Sequence, residues 1–358
     1  MSLFVFVGSQ NRTDTEIREG GGLQVFSYDE GTADLRLLHA EAGADNPSYI
    51  AIDQPGGALY AVNEVGSWLE CTVSAYGIDW TSGALTYLNR QPTRGRASCH
   101  VALLPGHRLG VANYSHEDGG PDQAVCFYPL SADGSIDAPF ASAPHKPEAG
   151  HEPRDRSHAH CVSLTLDGRL VLVTDLGLDC VFAYDAADPA REVQRVRLPA
   201  GHGPRHVVGH PGGRFIYVLN ELVPFISVLE WDGSILRHHS DVGTLENLEP
   251  GAAAYGAAIQ LSSDARFLYA STRGVDCISV FEVNSDGSRL ERVQVAGCGG
   301  AWPRDFCLTP GGKHVLVANQ HSNSVAILSR DGESGQLTDT GHRLDIGTPQ
   351  CVKIVQAS

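Results

Sequence analysis

Hydrophobic residues in this chain fall in short runs broken by turns, rather than at the three-to-four spacing of amphipathic helices. Six of these runs follow one pattern. QPGGALYAVNE (54–64), LPGHRLGVANY (104–114), LDGRLVLVTDL (166–176), HPGGRFIYVLNE (210–221), SDARFLYASTR (263–273) and TPGGKHVLVANQ (309–320) each join a turn to a hydrophobic strand that ends at a small polar residue. The markers Asn63, Asn113, Asp175, Asn220, Thr272 and Asn319 recur at spacings of 50, 62, 45, 52 and 47. A period near 50 residues is that of a propeller blade, one antiparallel meander per repeat. The 40 glycines and 19 prolines supply the turns such a chain needs.

The ends of the chain complete the count. LFVFVGS (3–9) reads as the second strand of a repeat without its first, and TPQCVKIV (348–355) as a first strand without its second. The prediction is an all-β fold, a seven-bladed β-propeller over residues 1–358 as one domain, its ring closed by N- and C-terminal strands sharing one blade. Calling the strands of each blade A to D, the start of A, the end of B and the B–C and D–A connections lie on one face of the disc. The longest connections fall there: 9–22, roughly 140–157 and roughly 243–255. Long loops on one face of a rigid scaffold surround a site.

Aligning the A strands on their turns puts Ser48, Ser98, His160, Arg205, Ala257, Arg304 and Gln350 in one innermost column. Two arginines and a histidine at the channel mouth make an anion trap inside a strongly acidic protein. The alternative is that the arginines bridge neighbouring blades. The ends of the B strands add Asn63-Glu64, Asn220-Glu221 and Thr272-Arg273 to the same face. Glu221 orients or deprotonates water if arginines surround it, acts as an acid if an apolar wall raises its pKa, or only pairs with Arg205 to hold blades together. His158 and His160 are two apart, with His151 upstream, but no third metal ligand is evident, so acid–base or hydrogen-bonding work is expected of His160 and no metal site. Strand alternation puts His206 on the opposite side from Arg205, as a packed histidine.

Composition narrows the function. With 26 basic against 42 acidic residues the net charge is −16, which disfavours nucleic acid and anionic membranes as partners. The start lacks a signal-peptide pattern and no apolar run is long enough to span a bilayer, so a cytoplasmic protein is expected. Nine cysteines without a CxxC pair, several in apolar strands (Cys99, Cys161, Cys307, Cys351), read as buried free thiols. GxSxG, P-loop, dinucleotide and HExxH motifs are absent, leaving general acid–base and electrostatic catalysis without a cofactor.

At these residues the chain resembles the seven-bladed propeller lactonase family, which includes propeller-type 6-phosphogluconolactonases and carboxy-cis,cis-muconate cyclases. FVGSQ near the N-terminus, NPSYIAID with YAVNE (46–64), SHAHCVSLTLDGRLVLVTDLG (157–177), GPRHVVGHPGGRFIYVLNEL (203–222), FLYASTRG (267–274) and WPRDFCLTPGGKHVLVANQ (302–320) carry the resemblance in order. It implies His160, Arg205, Glu221 and Arg273 as the catalytic set, beside a candidate substrate-binding set of Arg304, Asn220, His158 and His206. Ala258, Thr272 and Asp305 depart from the pattern common in relatives and reshape one wall. The expected reaction is hydrolysis of an anionic sugar lactone, 6-phosphogluconolactone foremost, the arginines holding phosphate or carboxylate. A lactone-forming muconate cyclase uses the same parts, and a non-catalytic binding propeller is the alternative of another class. Trp68, Tyr255 and Trp302 lie near the loop face as partner-contact, substrate-stacking or core residues.

Overall fold

A computed structural model describes residues 3–12, 21–115, 120–148, 155–246, 248 and 251–357. Its 28 strands form seven four-stranded antiparallel sheets. In blade 1, β28 (Pro349–Gln356) pairs with β1 (Leu3–Ser9), followed by β2 (Gly22–Asp29) and β3 (Asp34–Glu41), so the two ends of the chain share a sheet as the sequence predicts. Blade 2 is β4 (Pro47–Asp53) to β7 (Leu85–Pro92). Blade 3 runs from β8 (Ser98–Leu104) to the three-residue β11 (Ala141–Ala143), and blade 4 from β12 (Ala159–Leu164) to β15 (Glu192–Arg197). Blade 5 spans β16 (Pro204–Gly209), β17 (Phe215–Asn220), β18 (Phe225–Trp231) and β19 (Leu236–Gly243). Blade 6 comprises β20 (Tyr255–Leu261), β21 (Phe267–Arg273), β22 (Cys277–Val283) and β23 (Leu290–Gly297), and blade 7 runs from β24 (Pro303–Leu308) to β27 (Leu337–Asp345).

Burial follows the position of each strand. Second strands such as β17 and β21 are buried along their whole length, which is why they read as continuous hydrophobic runs. Fourth strands such as β3 and β19 alternate toward solvent. The core is a series of clusters between adjacent blades; one joins Tyr217, Leu219 and Val228 of blade 5 to Leu268, Ala270 and Phe281 of blade 6. The inner strands β28, β4, β8, β12, β16, β20 and β24 touch one another around a closed cycle. All nine cysteines are buried and unpaired. Among the described residues no helix is long and apolar enough to cross a membrane.

Each inner strand carries a bulge at its start. The extra, unpaired residue is Ser48 in β4, Cys99 in β8, His160 in β12, Arg205 in β16, Arg304 in β24 and Gln350 in β28; in β20 the irregularity covers Ala257 and Ala258. A bulge re-aims a side chain that strand alternation would otherwise place elsewhere. The inner column is therefore a column of bulge residues, and its member in blade 3 is Cys99, not Ser98. Ser98 pairs with Asn113 in the ladder and donates its hydroxyl to the Asn113 amide oxygen at 2.7 Å.

Candidate active site

Glu221 follows the last residue of β17, and its backbone is fixed from both sides. Its N–H donates to Gly203 O at 2.7 Å, and its carbonyl accepts from Gly256 of blade 6 at 3.1 Å. The approach of blades 5 and 6 there requires glycine: a Cβ on Gly256 would sit 2.1 Å from Asn220 O. The side chain gathers three partners from three blades. Arg205 Nε and Arg273 Nη2 each lie 3.0 Å from Glu221 Oε2, and His160 Nε2 lies 3.8 Å from the same oxygen. The four residues that the resemblance implies as catalytic thus meet at one carboxylate.

The surroundings tune this group. Arg205 is 2% exposed, and Nη1 donates to Ala257 O and to His206 Nε2, the latter at 3.0 Å. Its own carbonyl accepts from Thr174 Oγ1 at 2.6 Å. Arg273 Nη2 also donates to Gly256 O at 3.0 Å, and the guanidinium lies 5.5 Å from the Trp302 ring and 6.0 Å from that of Tyr255. Burial pushes Arg273 down to about 10 against the opposing pull of Glu221, with Arg205 and Arg304 adding to the depression. His160 titrates well below the usual histidine range, chiefly through burial and further through Arg205, Arg304 and Arg273. At neutral pH its imidazole is uncharged. Cys99, 3.9 Å from His160 Nδ1, is pushed well above the ordinary thiol range by burial and by Glu64, so it is no thiolate nucleophile.

Arg304 stands apart from this centre, 3.5 Å from Glu64 Oε2 and more exposed than Arg205 or Arg273. Two members of the expected substrate-binding set, Asn220 and His158, make local structural contacts. The Asn220 amide donates to Phe225 O at 3.0 Å and Ser227 Oγ at 2.9 Å, pinning the turn into β18. His158 precedes its strand, stacks on Tyr114 at 4.4 Å, bonds Tyr114 O through Nδ1 at 2.7 Å, and meets Asp155 through Nε2 at 3.4 Å, so it anchors a loop. His206 is also placed differently from the alternation argument. The bulge at Arg205 breaks alternation, and His206 Nε2 meets the Arg205 guanidinium instead of lying across the strand. His151 lies outside the described residues, and among those residues no group of three or more metal-ligating side chains forms a metal site.

A deeper layer escaped the sequence reading. Tyr49 stacks on His100 at 4.1 Å, and the Lys353 ammonium lies 4.3 Å from the Tyr49 ring and 2.8 Å from Asp305 Oδ2. Burial opposes the charge on Lys353, but Asp305, Cys351 and Tyr49 together outweigh it and hold the ammonium well above its ordinary range. One signal was available: His100 and His206 stand at the same distance before their turn prolines, Pro105 and Pro211.

The fold agrees with comparisons to known proteins. The profile of the family described as "Lactonase, 7-bladed beta-propeller" matches residues 4–354. A 6-phosphogluconolactonase of Bacillus subtilis is 29% identical over 348 residues, covering 94% of this chain and 96% of the relative. One from Formosa agariphila is 29% identical, covering 93% and 94%. The solved structure of a periplasmic gluconolactonase of Pseudomonas aeruginosa superposes with a TM-score of 0.88 at 29% identity, covering all of both chains.

Proposed function

Because this chain belongs to the seven-bladed β-propeller lactonase family, we propose that it hydrolyses a sugar lactone at the Glu221 centre. One observation carries the reading: Arg205, Arg273 and His160 converge from three blades on a single carboxylate oxygen. The separation of 3.8 Å between His160 and Glu221 is too long for a hydrogen bond, so both can face one attacking water. Glu221 Oε2, already engaged with two guanidiniums, orients that water, and the neutral His160 accepts its proton as the water oxygen adds to the lactone carbonyl. Glu221 lies close enough to offset the charge that appears on the imidazole. The oxyanion is held by the remaining N–H groups of Arg205 and Arg273, whose position is set before the substrate arrives. On collapse the ring C–O bond breaks, the ring oxygen takes the proton back from His160, and a hydroxy acid leaves. No step requires a cofactor.

Arg304 is the residue we assign to an anionic tail, because its contact with Glu64 is single and long. A 6-phosphate or a carboxylate suits a guanidinium fork there. The Bacillus relative is named for the phosphorylated lactone and the Pseudomonas relative for the plain one, and the phosphorylated lactone is our first choice. Nine unpaired buried cysteines suit a reducing compartment such as the cytoplasm. The test is background-subtracted hydrolysis of freshly generated 6-phosphogluconolactone beside gluconolactone, with Arg304→Ala as the variant. Preference for the phosphorylated lactone that vanishes in Arg304→Ala supports the assignment. Equal turnover of both lactones by the unsubstituted protein removes the phosphate tail from it.

A further inference from the structure

The group that fixes Arg205 from behind is His206. The bulge in β16 leaves Pro204 opposite Asn220 and His206 opposite Leu219, with Arg205 unpaired between them. Both side chains are buried, at 2% and 6% exposure, and Arg205 Nη1 meets His206 Nε2 at 3.0 Å. A guanidinium has donors only, so His206 Nε2 must be the acceptor and its proton must reside on Nδ1. With Ala257 O as the other partner, both protons on Nη1 are engaged. The donors on Nε and Nη2 are left for Glu221 and for a bound substrate. His206 is itself held in place, its ring edge-on to Tyr49, His100 and His160 at 5.6, 5.4 and 5.6 Å. Tyr49 is in turn fixed by its stack on His100 and by the Lys353–Asp305 pair. The support therefore runs across blades 2, 3, 4, 5, 7 and 1.

We propose that His206 is a positioning residue for the reaction: as a neutral acceptor for Arg205 Nη1, it sets the guanidinium so that the Nε edge faces Glu221 and the oxyanion. This rests on the lactonase reading of the site. Arg205 has backbone carbonyl support on one side alone, and a freely rotating guanidinium would lose the alignment on which oxyanion stabilisation depends. Protonation of His206 would turn its acceptor into a donor beside a cation. The charged and titratable groups facing it are Arg205 on its own strand, Tyr49 from β4, His100 from β8, His160 from β12 and Lys353 from β28. Burial opposes a positive charge there, and the cationic neighbours act in the same direction.

The test is a double-mutant cycle on the full chain, with steady-state hydrolysis of whichever of the two lactones the unsubstituted protein turns over. His206→Phe is expected to lower kcat by about 10- to 100-fold, as loss of a supporting partner commonly does, with KM changed by less than about 3-fold. His206→Gln, whose amide oxygen can accept from Nη1 without titrating, is expected to keep kcat within about 3-fold. In an Arg205→Ala background, His206→Phe should cost no more than about 2-fold, because the group it acts through is gone. Should His206→Phe fail to fold by circular dichroism, His206→Met takes its place with the same expectation. The proposal is overturned if the apolar variant keeps wild-type kcat, or if it costs as much without Arg205 as with it. An Arg205→Ala enzyme at full turnover would instead overturn the lactonase reading of Arg205, whereas a dead Arg205→Ala beside an active His206→Phe would remove only the positioning role.

Discussion

The same dipeptide ends the second strand in blades 2 and 5, yet Asn63-Glu64 and Asn220-Glu221 have different surroundings. In both, the asparagine amide is held by neighbouring groups: Asn63 donates to Asp45 O at 2.9 Å and accepts from Ser74 Oγ at 2.8 Å, while Asn220 pins the turn into β18. Both glutamates also tie their backbone N–H to the preceding connection, Glu64 to Asn46 O and Glu221 to Gly203 O. The side chains diverge. Glu221 meets two buried guanidiniums and a neutral histidine, whereas among the described residues Glu64 meets Arg304 alone at 3.5 Å, with Oε2 buried and otherwise without a hydrogen bond. The cause is the bulge column. Glu221 is flanked by Arg205 and His160, but the bulge residue of the Glu64 blade is Ser48. The repeat supplies two similar carboxylates, and their neighbours in the column give them different chemistry.

The variants that most strongly break this contrast act on the Glu221 side. Glu221→Gln and Arg273→Ala should each lower turnover by at least ~10²-fold, the lower end of general acid–base contributions, with far-UV circular dichroism unchanged. His160→Gln comes next, with a loss of about 10²-fold and a change in pH profile: the wild-type rate should hold at neutral pH and fall in acid as the imidazole takes a proton, and the variant should lose that limb. Glu64→Gln should act mainly on KM, by about 10-fold or less, since it releases Arg304 without touching the reacting atoms. Asn220→Ala completes the series: a lower melting temperature from two lost hydrogen bonds, roughly 1 kcal/mol each, with kcat/KM nearly unchanged.

A separate expectation concerns stability. His100, His160 and His206 all titrate well below their usual range, burial being the largest cause in each. The unfolded chain takes up those protons near pH 6.5, so the unfolded state binds more protons in the window below it. Stability should be fully present above about pH 6.5 and fall as the pH drops, by up to about 1.4 kcal/mol per pH unit for each histidine. Denaturant melts at pH 7.5 and 5.5 measure this, and His206→Gln should flatten the difference.

Much of this was legible from repeats. The marker spacing and the split end strands were enough for the blade count and the closure, because each blade must bury its own hydrophobic strands against its neighbours. Arg205, Glu221 and Arg273 were legible because their places in the repeat unit determine the face they reach. What escaped depends on bulges and on contacts across the ring. A one-residue bulge has no distinct sequence mark, so Ser98 stood in for Cys99 and His206 was assigned to the wrong side. The Lys353–Asp305 pair joins β28 to β24 where the ends of the chain meet, and strand patterning says nothing about such a partner. Asn220 and His158, which the sequence offers for substrate binding, also satisfy backbone groups, a role that polar residues at strand ends often take and that no sequence pattern marks.

The central claim is that the Glu221 cluster turns over a lactone. Its most direct test is the background-subtracted hydrolysis rate of freshly generated 6-phosphogluconolactone and of gluconolactone, for the unsubstituted chain and for Glu221→Gln. The expected result is fast hydrolysis of at least one lactone, reduced by ~10²-fold or more in a folded Glu221→Gln. Hydrolysis of neither above background, or equal rates in the two proteins, would contradict it.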